Sequence, residues 1–95
     1  MKSLALALVI SGRIQTTDAK ARELRPMIEK MVTTGRAGTV AARRKLISEV
    51  GAIGAEKIVK EVSPKYMDRK GGYTRITKLP RRISDGSLMA VIEFV

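Results

Sequence analysis

The sequence predicts a two-layer α+β domain, with a small three-stranded sheet covered on one face by helices. Three observations lead there. Between residues 18 and 62 apolar positions recur at spacings of three and four, as on amphipathic helices. Residues 73–79 and 88–95 instead alternate with a period of two, as strands do. The chain has 95 residues, enough for one domain and too few for two, and no repeat, low-complexity stretch or linker divides it.

Taken in order, Leu4 to Ile10 reads as a helix, because Leu and Ala dominate and β-branched residues enter only at Val9 and Ile10. Gly12 is its expected left-handed cap. Arg13 to Thr17 alternates as a short strand, with Ile14 and Thr16 on one face. Thr17 or Asp18 can cap a helix whose buried stripe is Ala21, Leu24, Ile28 and Met31. Pro26 should kink that helix and Gly35 should stop it. Thr39 can cap a third helix lined by Ala42, Leu46 and Val50, broken at Gly51 and Gly54. A fourth carries Ile58, Val59 and Val62 and should stop by Pro64. A basic connection over 65–72 leads to a strand at Tyr73 to Leu79. A loop with Asp85-Gly86 turn chemistry leads to a last strand at Leu88 to Val95. On that strand Leu88, Ala90, Ile92 and Phe94 form one apolar face. The expected order is α-β-α-α-α-β-β, and the helices must cover one sheet face.

Charge points to function. Nineteen Lys and Arg against nine Asp and Glu give a net charge of +10, which favours a polyanionic partner, nucleic acid before an anionic membrane. The excess is spread along the chain, as expected of a folded domain that touches a polyanion over much of its surface. The chain contains no Cys and no His, so no Ser-His or Cys-His nucleophile pair and no thiolate metal site can be assembled. The acids are scattered, mostly beside Lys or Arg, and read as caps and helix-surface pairs. No enzyme activity, cofactor or small-molecule substrate is expected. The apolar run Leu4 to Ile10 lies at the short limit of a signal-peptide core, lacks a following cleavage pattern and is too short to span a bilayer.

Three basic clusters are candidate RNA contacts. Arg43, Arg44 and Lys45 cannot all face a core, so they meet phosphate or solvent. Arg69, Lys70, Gly71, Gly72, Tyr73 and Arg75 surround a Gly-Gly pair whose backbone N–H groups could approach a phosphate, while Tyr73 could stack on a base or instead anchor the core. Lys78, Arg81 and Arg82 flank the last loop, where they either contact RNA or protect a sheet edge by charge. Gly35 to Gly38 has the G-x-x-G spacing that KH domains use to clamp a nucleic-acid backbone. Gly51 and Gly54 repeat that spacing, which is common by chance. At 3% aromatic content a base-stacking platform is not expected.

Pro64-Lys65-Tyr66, Arg69, Gly71 to Ile76, Met89-Ala90 and Ile92-Glu93 resemble the C-terminal half of the bacterial large-subunit ribosomal protein L-seventeen family. Arg13-Ile14, Thr16-Thr17, Ala19-Lys20-Ala21, Glu23-Leu24 and Ala42-Arg43-Arg44 resemble its earlier segments in the same order. The resemblance implies the same element order and a structural place on the large ribosomal subunit. It also implies ribosomal RNA and neighbouring ribosomal proteins as partners, and a cytoplasmic location. It makes Arg43, Arg44, the Gly71 to Arg75 block and Lys20 expected RNA contacts. Relatives usually begin with a long basic arm, so the resemblance implies a single domain over residues 1–95 that is shortened at its N-terminus. The alternatives are a free-standing KH-like or regulatory nucleic-acid binder centred on Gly35 to Gly38, and a membrane-surface peptide anchored by Leu4 to Ile10.

Overall fold

A computed structural model describes residues 2–69 and 71–95. Helices α1 (Lys2–Ser11), α2 (Asp18–Ala37) and α3 (Val40–Lys57) and strands β1 (Arg13–Thr17), β2 (Thr74–Leu79) and β3 (Met89–Phe94) follow the predicted order. The predicted fourth helix is the second half of α3, prolonged by a π-turn (Ile58–Val62) and a 3-10 turn (Ser63–Tyr66). The sheet is antiparallel with order β1-β3-β2. The helices pack against one face of it through Ala21, Leu24, Ile28, Leu46, Ile58, Ala90 and Ile92, all fully or almost fully buried.

Local chemistry explains the boundaries. In α1, Ala5, Leu8 and Val9 share the buried face. The left-handed Gly12 (φ 83) closes the helix, its N–H bonded to Leu8 O at 2.8 Å. Thr17 and Thr39 accept the N–H groups of Lys20 and Ala42, capping α2 and α3 as predicted.

Glycine placement corrects the sequence reading. Gly35 does not stop α2. It is buried within the last turns, where an added Cβ would lie 2.5 Å from Ser63 Oγ and 2.7 Å from Ile58 Cγ2, and the helix ends instead at the left-handed Gly38 (φ 63). Gly51 does break α3, at φ 82 and ψ 173. Gly54 is helical and lets α1 approach α3, since a Cβ there would stand 2.9 Å from Leu6 Cδ1. Pro26 sits inside α2 without interrupting it. It is exposed, and a carbonyl freed on that side can be solvated. Nor does helical structure stop before Pro64. Pro64 occupies the first positions of the 3-10 turn, where a missing N–H matters least. The turn before it widens so that Ser63 N–H reaches Ile58 O. Ser63 Oγ, buried, also donates to Val32 O at 2.9 Å and fixes this corner to α2.

On β3, Ala90 and Ile92 are fully buried and Phe94 partly so, but Leu88 lies outside the strand and is 52% exposed. Its carbonyl accepts the N–H of Asp18 at 2.8 Å, which ties the last loop to the start of α2. On the other face Val91 is also buried, because β3 is central and Gln15 and Thr77 flank Val91 in register.

Candidate nucleic-acid interface

The Gly-Gly-Tyr-Thr segment is built around an acid. Glu29, on α2, points its carboxylate into the backbone concavity before β2. It accepts the N–H of Gly72 (2.8 Å), of Tyr73 (3.1 and 3.2 Å) and of Thr74 (3.1 Å), and the Thr74 hydroxyl (2.9 Å). Gly72 takes φ 68, the left-handed geometry that turns its N–H toward the carboxylate. The paired glycines were expected to offer N–H groups to phosphate, and for Gly72 that expectation is corrected: an internal carboxylate already holds its N–H.

Tyr73 is likewise corrected as a base-stacking residue. Its side chain is fully buried, its ring lies 5.2 Å from that of Tyr66, and burial pushes the Tyr66 hydroxyl pKa above its ordinary value. The Tyr73 hydroxyl shares a hydrogen bond with Thr33 Oγ1 and donates to Arg69 O, both at 3.2 Å, and accepts from Arg36 at 3.0 Å. The same Arg36 guanidinium donates to the carbonyls of Met67 and Arg69. Arg36 and Glu29 thus shape the connection before β2 from opposite ends of one helix segment. Neither stood out in sequence, since their partners lie more than thirty positions away. Lys70 lies outside the described residues.

The side chains of the other candidates face solvent. Arg44, Lys45, Arg69, Arg75, Lys78, Arg81, Arg82 and Lys20 are exposed and Arg43 is partly so. Among the described residues, Lys20, Arg43, Arg44, Lys45, Arg69, Lys78 and Arg81 have no carboxylate partner, whereas Arg75 pairs with Glu93 (2.7 Å) and Arg82 with Asp85 (3.6 Å). Two groupings emerge. Lys45 faces Lys30 and Gly71 across a cleft between α2 and α3 that also contains Thr33 and Thr34. Lys78, Arg81, Arg82 and Lys20 gather at the sheet end where Thr17, Met89 and Leu79 are aligned. Lys30, which faces the same cleft, was missed because an isolated Lys on a helix carries no pattern.

On the uncovered sheet face, Glu93 stands between Arg75 and Arg13. The hydrogen bond from Arg75 holds the Glu93 carboxyl below its ordinary pKa, so it stays ionised at neutral pH. Asp85 is held low mainly by the N–H of Ser87. Both acids are therefore committed to shaping the protein. Gly35, buried in α2, cannot form the exposed G-x-x-G clamp of a KH domain, so that reading is set aside. Among the described residues no three acids converge as a metal site requires, and no helix is long and apolar enough to cross a membrane.

A family model described as ribosomal protein L17 matches residues 1–95. The chain belongs to the ribosomal protein L17 family. It is 44% identical to the large ribosomal subunit protein bL17 of an Exiguobacterium species, covering all of this chain and 86% of that protein. It is 42% identical to bL17 of Shouchella clausii, covering all of this chain and 87% of the relative. It is 38% identical to bL17 of Levilactobacillus brevis at the same coverage. Membership of the L17 family agrees with the motif resemblance and gives the exposed cations a context. These are ribosomal proteins, a structural and non-enzymatic class, and the L17 fold here carries cations outward over a closed hydrophobic core.

Proposed function

We propose that the chain is a structural constituent of the large ribosomal subunit that binds ribosomal RNA through phosphate contacts from its exposed Lys and Arg. The family match over residues 1–95 carries the reading at the level of a ribosomal protein. The finer claim is supported by seven of the candidate cations, Lys20, Arg43, Arg44, Lys45, Arg69, Lys78 and Arg81, which are exposed or part-exposed and have no carboxylate partner among the described residues. Arg43 and Arg44 fork onto phosphate oxygens, Lys45 with Lys30 holds a phosphate over the α2–α3 cleft, and Lys20, Lys78 and Arg81 meet RNA at the hairpin end. Arg69 adds charge beside the Glu29-held turn. Arg75 and Arg82 contribute while paired, since an arginine can share its donors between a carboxylate and a phosphate. Gly71 lets backbone approach at the cleft, and neighbouring large-subunit proteins complete the surroundings. Such contacts position RNA without reading its sequence.

Sedimentation tests this. A tagged copy expressed in a bacterium should travel with large ribosomal subunits through a sucrose gradient at moderate salt. Recovery only at the top of the gradient would refute the reading.

A further inference from the structure

We propose that Ile83, at the tip of the loop over residues 80–88, is an apolar wedge that packs against an unstacked base or ribose of ribosomal RNA. The inference deepens the RNA-binding reading and rests on it. Ile83 is fully exposed (102%), more than any other large apolar residue among those described. Isolated exposed apolar side chains are ordinary, and exposure alone implies nothing.

What sets Ile83 apart is how firmly its loop is built. Arg82 N–H donates to Ser87 O (2.8 Å) and Gly86 N–H to Arg82 O (2.7 Å), closing the tip on itself. Arg81 donates to Gly86 O at 2.9 Å and Ser87 N–H to Asp85 Oδ1 at 3.1 Å, while Arg82 pairs with Asp85 at 3.6 Å. Gly86 adopts φ 70 so that the loop can close. Leu88 O then anchors the whole to α2 through Asp18 N–H. These bonds fix the loop backbone on either side of Ile83, which lowers the ordering cost of binding.

Charge selects the occupant. The loop's one acid is engaged by Arg82 and Ser87, and Asp18 beside its base is paired with Arg22 at 2.9 Å. Lys20, Lys78 and Arg81 have no carboxylate partner among the described residues; Lys78 and Arg81 lie within five positions of Ile83 in the chain, and Lys20 follows Thr17, which pairs with Met89 at the base of the loop, so the loop carries positive charge at its base. An apolar tip with a cationic collar suits a nucleic acid, in which phosphates lie beside base faces and sugars. A neutral protein groove would gain nothing from the collar.

The test compares the full chain with Ile83→Ser and Ile83→Leu in filter binding to protein-free large-subunit ribosomal RNA, read across a salt series. Ile83→Ser should bind about tenfold more weakly with an unchanged salt slope, as expected for loss of apolar contact without loss of charge, and Ile83→Leu should bind like the parent. A benzophenone attached through Ile83→Cys, the sole thiol in a chain without cysteine, should crosslink to RNA in assembled subunits. Binding by Ile83→Ser equal to that of the parent, or crosslinks to protein only, would overturn the wedge while leaving the ribosomal reading intact. Failure of the parent itself to bind would overturn both.

Discussion

Replacing Glu29 by alanine removes the acceptor shared by three consecutive backbone N–H groups and one hydroxyl. The N–H of Gly72 lies where water can replace the carboxylate, because Gly72 is exposed. Tyr73 and Thr74 are buried, so their N–H groups are left without partners. An orphaned buried donor costs about 1–3 kcal/mol, which for the two puts the loss at about 2–6 kcal/mol. That is a large fraction of the roughly 5–15 kcal/mol that holds a domain folded. In a domain of this size it lowers the melting temperature by at least about 8 °C. Glu29→Gln keeps one carbonyl oxygen in the concavity and should lose about half as much. Urea unfolding followed by circular dichroism measures both variants against the parent. A Glu29→Ala midpoint equal to that of the parent would refute the claim that this carboxylate organises the Gly-Gly-Tyr-Thr segment.

Three further outcomes follow from the packing and charge described above. Gly35→Ala places a Cβ against Ser63 and Ile58 and should destabilise by about 1–3 kcal/mol in the same unfolding assay, whereas a helix-propensity argument predicts a gain. Ile92→Ala empties a fully buried site on the central strand and should cost about 2–5 kcal/mol, read as a drop in melting temperature. The Arg75–Glu93 pair has a folded-state carboxyl pKa below the ordinary 4.5, so its stabilisation is present above that pH and fades as the pH falls through the lowered value. Glu93→Gln should therefore melt below the parent at pH 7 and approach it in acid. A gap that widened on acidification would show the sign to be wrong.

The fold was largely legible because the signals that set it are local. The stripe Ala21, Leu24, Ile28 and Met31, the threonine caps and the burial of Ala90 and Ile92 on one face of β3 each fit within one element, and all appear in the structure. The misreadings involve residues whose role depends on something distant. Gly35 looked like a stop because glycine usually is one, yet it is small to admit Ser63, twenty-eight positions later. Leu88 fitted the strand alternation, but its carbonyl was needed by Asp18. At the candidate interface, the exposed cations of the Arg43 cluster and the hairpin were readable as charge. Tyr73 was not resolved between base-stacking and core anchoring, because the hydroxyl partners that decide it, Thr33 and Arg36, come from another helix. Glu29 illustrates the limit most clearly. A Gly-Gly turn flanked by cations has the same sequence whether its N–H groups await a phosphate or already hold a carboxylate from elsewhere in the fold.

The central claim is that this cationic surface neutralises RNA phosphates. The dependence of its affinity for large-subunit ribosomal RNA on salt tests that most directly. If the ten cations proposed as phosphate contacts (Lys20, Lys30, Arg43, Arg44, Lys45, Arg69, Arg75, Lys78, Arg81 and Arg82) each meet a phosphate, log K against log salt should fall with a slope of about −7 to −9. Arg43→Ala, folded as judged by its melting temperature, should make the slope shallower by about 1. An affinity that ignored salt, or no binding even at low ionic strength, would contradict the account.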